Sequence, residues 1–228
     1  MAAKAMYQAA AMKRKLAYWK TYVGRPEEDW ARRLAMNQLG RGLYLAGHDE
    51  DALSVQEAEL SMLQRRGASE RDMLAVQSNL ASTYGKIGQS EQALQLKRDV
   101  YSGYLKLYGE EHKETLIAAF NYVLTLGDLE RWEDAKALIR KTIPVARRTL
   151  GDNYEMTLSM RKTYALALCC DGTPSLGDLR EAVNTLEDVA PTARRVLGGA
   201  HPTVVQVESY LQHAREMTHA REASPGAA

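Results

Sequence analysis

The hydrophobic residues of this chain recur three and four positions apart, which is the spacing of one face of an α-helix. One such run reads Ala93, Leu96, Val100, Tyr104 and Leu107. Runs of Val, Ile and Thr, which favour strands, are nearly absent from the chain. The pattern therefore predicts an all-α protein.

Turn residues divide this helical pattern into ten predicted helices. A Ser followed three residues later by an acid, which is the pattern of a helix N-cap, occurs at Ser69 and at Ser175. With bounds good to about three residues, the predicted helices span roughly residues 2–22, 27–46, 49–66, 69–87, 89–107, 112–127, 131–149, 153–170, 176–197 and 201–219.

A segment anchored by a glycine recurs along the chain at a fixed period. Gly67, Gly109 and Gly151 follow one another at intervals of 42 residues, and Gly198 comes 47 residues later. The surplus lies in one stretch that contains Gly and Pro, residues 170–177. Because a helical repeat array tolerates insertions best in its loops, the glycines indicate repeats of about 42 residues.

Small residues mark two further positions in each repeat. One position follows a turn and is occupied by Ala52, Ala93, Ala135 and Ala182. The other lies twelve residues earlier in the first three repeats, at Gly40, Ala81 and Val123, and allowing for the insertion it is Ala165 in the fourth. Small side chains at both positions allow two antiparallel helices to approach closely near their turn. The repeat unit is therefore predicted to be a helix–turn–helix pair.

These repeats define the domain organisation that we expect. Residues 1–26 form a basic N-terminal capping helix, and residues 27–219 form the repeat domain. Residues 220–228 are expected to be a flexible tail. The repeats lie near residues 27–67, 68–109, 110–151 and 152–198, and a C-terminal capping helix follows at 201–219.

Charge is nearly balanced over the whole chain but uneven along it. The 30 Lys and Arg residues and 29 Asp and Glu residues give a formal net charge of +1, so no global field attracts nucleic acid or membrane. Residues 1–26 hold six basic residues and no acidic one, which leaves 24 basic against 29 acidic residues in the rest of the chain. No apolar run reaches the length of a membrane-spanning helix.

The two cysteines, Cys169 and Cys170, are adjacent in the sequence. Neighbouring cysteines rarely form a disulfide without strain, and free thiols are typical of a reducing compartment. We therefore expect an intracellular, cytoplasmic protein. An organellar location stays open, because residues 1–26 are rich in Ala, basic and free of acids like a transit peptide, although they lack Ser.

No arrangement of residues indicates catalysis. The sequence has no His-Glu-x-x-His pair, no nucleophile elbow and no phosphate-binding glycine loop. Two cysteines cannot form a structural zinc site. We therefore predict a protein that is not an enzyme, with no catalytic residue, no metal and no cofactor. The five histidines are spread over turns and the last predicted helix, at His48, His112, His201, His213 and His219.

Three features together resemble a known family. They are the pattern Asn-Leu-Ala-x-x-Tyr-x-x-x-Gly-x-x-x-x-Ala at residues 79–93, the 42-residue period, and the linker Leu-Gly-x-x-His-Pro-Thr at residues 197–203. They resemble the tetratricopeptide repeat (TPR) of the kinesin light chain type over about residues 27–217. HEAT and armadillo arrays share this period, but the residue pattern favours the TPR. The resemblance implies a right-handed α-solenoid of TPR-like helix–turn–helix repeats.

The resemblance also implies function as a protein–protein interaction scaffold or adaptor. The first helix of each pair would line a concave groove that binds a peptide or partner protein. The Asn residues suit the backbone of an extended peptide, because an amide offers both a donor and an acceptor. The groove positions are occupied by Asn37, Gln38, Arg41, Tyr44, Ser78, Asn79, Ser82, Lys86, Phe120, Asn121, Lys162, Thr163, Tyr210 and His213.

Several alternatives stay open for individual residues. Asn79 and Asn121 could instead bond their own repeat turn, and Phe120, the only Phe of the chain, could pack in the core rather than anchor a partner. The three tryptophans are interpreted as packing residues: Trp19, Trp30 and Trp132.

Two alternatives stay open for the function. The chain could be a structural subunit or assembly factor of a larger complex, held by its basic N-terminal helix or its convex face. An RNA-binding helical repeat is disfavoured, because no base-reading pair recurs in each unit and the body of the chain is acidic.

Overall fold

The computed structural model describes the backbone of residues 2–223 and the side chains of residues 12–223. Over that part of the chain the protein has ten α-helices and no strand, which confirms the all-α prediction. Every helix except the last begins and ends within about three residues of its predicted bounds. The helices are α1 (Ala2–Tyr22), α2 (Trp30–Ala46), α3 (Asp49–Arg65), α4 (Glu70–Lys86), α5 (Ser90–Tyr108), α6 (Lys113–Asp128), α7 (Trp132–Leu150), α8 (Glu155–Cys170), α9 (Leu176–Leu197) and α10 (Pro202–Ala223).

Side-chain caps fix where several helices begin. The Ser69 hydroxyl accepts a hydrogen bond from the backbone N–H of Asp72 at 3.2 Å. Ser175 and Asp178 form a complete capping box at the start of α9, so both predicted Ser caps are confirmed. α2 begins at Trp30 rather than near residue 27, because Asp29 is its cap and accepts from the N–H of Ala31 at 2.7 Å.

The last helix extends farther than the sequence pattern predicts. α10 ends at Ala223, so residues 220–223 of the expected tail are helical. Ala, Arg and Glu favour helix, and the Arg180 guanidinium donates to Glu222 at 2.8 Å, which holds this last turn against α9. Residues 224–228 of the expected tail lie outside the described residues.

The chain divides into two compact units, Met1–Leu107 and Tyr108–Ala228. In unit 1, the first of these, α1 packs on α2, α2 on α3 and α3 on α4. α5 packs on α4 at Gly103, where an added Cβ would lie 2.6 Å from a methyl group of Leu74. The first helices of the two pairs in unit 1, α2 and α4, also contact each other.

Unit 2, residues 108–228, contains the remaining two helix pairs and the C-terminal helix. α6 packs on α7, α7 on α8, α8 on α9 and α9 on α10. α8 also contacts α6 and α10. Because α6 and α8 are the first helices of their pairs, one surface of unit 2 is built from α6, α8 and α10.

The small-residue markers of the repeat are buried at helix–helix contacts. The four alanines that follow the turns are at most 1% exposed. At the other marker position, Gly40 is buried, and an added Cβ would lie 3.1 Å from the side chain of Gln56. The four anchoring glycines have φ values of 60°, 82°, 92° and 84°, which disfavour any residue with a side chain. Both repeat markers therefore have a steric cause.

α1 covers one face of α2 through a close approach at Gly42, whose added Cβ would lie 2.5 Å from the Lys15 side chain. Trp19 packs against the buried cluster that contains Leu39 and Leu43. Burial, and then the charge of nearby Arg41, lowers the pKa of Lys15. Among the described helices, none is both long enough and apolar enough to cross a membrane.

Candidate partner-binding surfaces

A cavity of about 150 Å³ opens between α2 and α4 in unit 1. We name it the α2–α4 cavity. Four of the residues that line it were predicted from the sequence, and they come from both first helices: Arg41, Tyr44, Asn79 and Ser82. Its floor includes Gln56 of α3, which is buried and accepts a hydrogen bond from the Thr83 hydroxyl at 2.7 Å.

The side-chain amide of Asn79 is half-buried and has no hydrogen-bond partner among the residues that the structure describes. Its backbone carbonyl accepts from the Thr83 hydroxyl at 3.3 Å. Asn121 on α6 has the same arrangement: its carbonyl accepts from Thr125 at 3.1 Å, and no described residue bonds its amide. In neither residue does the side chain bond its own repeat turn.

Lys86 does not line the α2–α4 cavity, but it is held against Tyr44, which does, by contacts within the protein. Its ammonium donates to the backbone carbonyl of Tyr44 at 2.8 Å and to Asp49 at 3.2 Å. The same ammonium lies 4.2 Å from the centre of the Tyr44 ring, which is a cation–π contact. A second cation, Lys97, donates to the Ser82 hydroxyl at 3.0 Å. The sequence analysis did not identify Lys97, because it lies on a second helix.

A second cavity of unit 1, of about 270 Å³, lies between α2, α3 and α4. We name it the Glu59 cavity. The carboxylate of Glu59 is only 2% exposed and accepts from the Asn37 amide at 3.2 Å. Burial raises the pKa of Glu59 to about 7, although the bond from Asn37 and the charge of Arg33 act in the opposite direction. The cavity is lined by Trp30, Arg33, Leu34, Asn37, Glu59, Leu63, Asp72, Ala75 and Val76.

Trp30 corrects one interpretation from the sequence. The sequence predicts a packing residue here, yet Trp30 is 69% exposed and lies at the Glu59 cavity. The physical reason is its place as the first residue of α2, directly after the Asp29 cap, outside the buried stripe of that helix. Trp19 and Trp132 are half-buried packing residues, as predicted, and Trp132 lies against Gly127.

Unit 2 has a cavity of about 260 Å³ lined by residues of α6, α7, α8 and α10. Three predicted groove residues line it: Lys162, Thr163 and Tyr210. The Lys162 ammonium donates to Gln206 of α10 at 2.6 Å, and burial lowers the pKa of this lysine. Trp132 adds an aromatic ring to the same cavity. The cavity therefore combines a half-buried cation with two aromatic side chains.

The remaining predicted groove residues do not line these three cavities. Gln38 is half-buried on α2, and Ser78 is half-buried on α4, where its carbonyl accepts from Ser82. Phe120 is half-buried on α6 and His213 is exposed on α10. Phe120 is thus neither fully exposed nor part of the buried core.

Glu59 and Gln56 are the polar residues that the sequence analysis missed. Both lie on the buried stripe of α3, which reads Ala52, Gln56, Glu59 and Leu63 at four- and three-residue spacing. Two polar residues on an otherwise apolar stripe are a sequence signal. Both lie on a second helix, whereas the resemblance assigns the groove to the first helix of each pair.

The two cysteines lie at the end of α8, and burial affects the reactivity of both thiols. Cys169 is buried, which raises the pKa of its thiol to about 11, and burial also raises the pKa of Cys170. Both thiols are therefore protonated near neutral pH and poor nucleophiles. Within residues 12–223, no three His, Cys, Asp or Glu side chains come close enough together to hold a metal ion.

Comparisons with known proteins agree with this architecture. Residues 72–148 match the family model of the tetratricopeptide repeat. A crystal structure from Podospora anserina, described as a kinesin light chain with nearly identical TPR-like repeats, is 22% identical, covers 87% of this chain and 92% of its own, and has a TM-score of 0.71. BtubC (BKLC) from P. vanneervenii is 12% identical, with coverage of 96% and 91% and a TM-score of 0.56.

A third structure is a signal-transduction ATPase with a tetratricopeptide repeat sensor, from Pyrococcus horikoshii. It is 15% identical, covers 94% of this chain and 33% of its own, and has a TM-score of 0.72. A search of curated proteins found no match to this sequence.

The fold and the repeat markers define an all-α protein built from helix–turn–helix repeats. More particularly, residues 72–148 match the tetratricopeptide repeat, and the fold is similar to that of the TPR-like repeats of a kinesin light chain structure, as the sequence pattern predicted. Repeats of this family are generally scaffolds for protein–protein interaction, and the fold is typically non-catalytic.

Proposed function

We propose that this protein is a non-catalytic scaffold that binds a peptide or a partner protein through the first helices of its repeats. The observation that supports it most is the amide of Asn79, half-buried in the α2–α4 cavity and without a partner among the described residues. A half-buried amide that the protein leaves unbonded must be satisfied by water or a ligand. The backbone of an extended peptide offers the complementary donor and acceptor.

The neighbours of Asn79 support the same ligand. Arg41 is exposed beside it, and Ser82 presents a hydroxyl. In unit 2, Asn121 offers a second amide that no described residue bonds, and Phe120, the residue before it, is half-buried. Amides that bind a main chain, together with cationic and aromatic side chains that select among residues, are typical of peptide-binding surfaces.

The test compares the wild-type chain with the Asn79→Ala/Asn121→Ala double variant. Proteins captured by each from cell extract are identified, and the affinity of a purified captured protein is then measured by calorimetry. We expect the double variant to bind about ten-fold more weakly or worse, which corresponds to about 1–2 kcal/mol, with an unchanged melting temperature. Phe120→Ala is expected to weaken binding by a similar factor.

The controls are arginines that the protein already pairs. Arg147 forms an ion pair with Asp152, and Arg194 forms one with Glu208. Arg147→Ala and Arg194→Ala should bind the partner with an affinity within about two-fold of the wild type, because surface ion pairs contribute little to stability. Equal binding by the wild type and the double Asn variant would contradict the proposal.

The second candidate function is that of a structural subunit docked by its N-terminal helix. Lys13, Arg14 and Lys20 are exposed on α1, and this basic patch is the observation that favours it. Deleting residues 1–22 is a poor test, because α1 packs against the cluster with Leu39 and Leu43. The Lys13→Gln/Arg14→Gln/Lys20→Gln variant keeps that packing. If this variant loses the captured partner while the Asn79→Ala/Asn121→Ala variant retains it, docking through α1 is established.

The same triple variant tests the RNA alternative. Phosphate contacts make affinity fall steeply with salt. Binding of a single-stranded RNA that falls steeply between about 50 and 200 mM salt and disappears in the triple variant would establish nucleic-acid binding through α1. We expect no such binding, because the body of the chain carries more acidic than basic residues.

For the compartment, we propose the cytoplasm. The free thiols of Cys169 and Cys170 support a reducing environment. Fractionation of cells that express the chain with a C-terminal tag tests this, and recovery in an organelle with a shortened N-terminus would contradict it.

A further inference from the structure

The Glu59 cavity contains a buried acid that the protein compensates only in part. The carboxylate of Glu59 accepts from one side chain, the Asn37 amide, at 3.2 and 3.4 Å to its two oxygens. An ionised carboxylate can accept about four hydrogen bonds, and a buried one without a counter-ion is costly. Among the described residues, none forms an ion pair with Glu59.

Arg33, the one cationic residue that lines the cavity, already forms an ion pair with another acid. The Arg33 guanidinium donates to Asp72 at 3.0 Å, and this ion pair joins α2 to α4. The charged groups that line the cavity are therefore Glu59, Asp72 and Arg33, with a net charge of −1 when Glu59 is ionised. The cavity is electrostatically complementary to one positive charge.

Trp30 defines what kind of cation fits. Its ring is largely exposed at a cavity whose remaining lining includes Leu34 and Ala75. A tryptophan face attracts cations and stacks well on a planar guanidinium. The cavity, at about 270 Å³, is smaller than a typical small-molecule site and suits one long side chain.

We propose that the Glu59 cavity binds an arginine side chain of the peptide that the scaffold holds. The guanidinium forms a paired hydrogen bond with the Glu59 carboxylate, and its planar group stacks on Trp30. Arginine fits better than lysine, because only a planar fork combines stacking with two parallel bonds to a carboxylate. This inference rests on the proposed function, since it names a side chain that the partner contributes.

The experiment measures binding of two small probes to the full chain by NMR titration. The probes are N-acetyl-L-arginine amide and N-acetyl-L-citrulline amide, which have nearly the same shape but differ in charge. We expect the arginine probe to shift resonances around Trp30 and Glu59, and to bind at least ten-fold more tightly than the citrulline probe. Glu59→Gln should remove that preference for arginine. Trp30→Ala should weaken the binding of the arginine probe several-fold.

Glu50→Gln is the matched control. Glu50 lies on the same helix as Glu59 but is exposed, so its substitution removes the same charge without touching the cavity and should leave the preference for arginine intact. Equal binding of the two probes by the wild-type chain, or a preference that survives Glu59→Gln, would overturn the proposal.

The pH dependence provides a second readout. Because the pKa of Glu59 is raised to about 7, the arginine probe should bind about ten-fold more weakly at pH 6 than at pH 8. Arg33 and Asp72, the other charged groups at the cavity, are present in both proteins. The difference between the wild type and Glu59→Gln in how affinity changes with pH therefore gives the contribution of Glu59 alone. An affinity for the arginine probe that still changes about ten-fold with pH in Glu59→Gln would contradict the assignment.

The captured partner separates this inference from the proposed function. If Asn79→Ala/Asn121→Ala weakens binding of the captured partner and Glu59→Gln does not, the proposed scaffold function stands and the proposed arginine site is wrong. If the double Asn variant binds normally, the proposed function fails, whatever the probes show.

Discussion

At the residue scale, the buried carboxylate of Glu59 couples the stability of the fold to pH. Its pKa in the folded protein is raised to about 7 from an ordinary value of 4.5, mainly by burial. Between these two values the folded chain holds a proton that the unfolded chain releases, so the folded state is favoured at the lower pH. The free energy of unfolding should therefore fall as pH rises from about 5 to 8, by up to about 3 kcal/mol from this residue.

Urea unfolding of the wild type and Glu59→Gln at several pH values checks this. The variant cannot ionise, so it should lose this component of the pH dependence and be more stable than the wild type at pH 8. Glu50→Gln, on the exposed face of the same helix, should keep the wild-type slope. A variant less stable than the wild type at pH 8 would show that Glu59 stabilises the fold in its ionised form.

Single residues were the least predictable part of the molecule. The identity of the buried positions followed from helical spacing, but the exposure of Trp30 did not, because apolar residues at helix starts occur both inside and outside cores. Tyr44 and Lys86 were identified on the correct helices, yet their mutual cation–π contact depends on how α2 and α4 pack. Spacing along one helix does not contain that information.

At the scale of helices, the contact between α4 and α5 depends on a small residue at position 93. Ala93 is 1% exposed, and its Cβ lies 3.8 Å from where a Cβ on Gly85 would be. Ala93→Leu adds atoms for which there is no space, and should lower the free energy of unfolding by about 1–3 kcal/mol. Gln92→Leu, the exposed neighbour, should cost far less. Equal stability of the two variants in chemical unfolding would show that the contact is not tightly packed.

The start of α9 depends on the capping box. The Ser175 hydroxyl accepts from the N–H of Asp178 at 3.0 Å, and the Asp178 carboxylate accepts from the N–H of Ser175 at 3.1 Å. Ser175→Ala removes the first of these bonds and should cost about 1 kcal/mol in thermal or chemical unfolding. Ser102→Ala, an exposed position within α5, should cause no loss. Stability of Ser175→Ala equal to that of the wild type would show that the box adds nothing.

Helices and their order were the most predictable feature, because each of them is encoded locally. Caps, apolar spacing and glycines with positive φ lie within a few residues of the boundary that they set. α10 is the exception, since its last turn pairs with Arg180 on α9, 42 residues away. Sequence spacing within α10 could not reveal that long-range contact.

At the scale of the whole molecule, the period of the small residues predicted the repeat fold, whereas the cavities depend on packing. The α2–α4 cavity gathers Arg41, Tyr44, Asn79 and Ser82, and all four were predicted from repeat phase. In unit 2, Lys162 and Tyr210 share a cavity that Phe120 and His213 do not line. Repeat phase assigns a residue to a helix face, but the space between two faces is set by the side chains of third helices such as α3 and α7.

A repeat array should also lose stability locally, because each helix pair contacts only its neighbours. Ala135 on α7 is 1% exposed, and α7 packs on α6 and α8. Ala135→Leu should therefore increase amide hydrogen exchange in α6, α7 and α8, where overpacking separates the helices. Exchange in α2 and α3 should stay at the wild-type rate. The matched control is Ala137→Leu, which makes the same substitution at an exposed position of the same helix. A uniform increase over all helices would show that the chain unfolds as one cooperative unit rather than repeat by repeat.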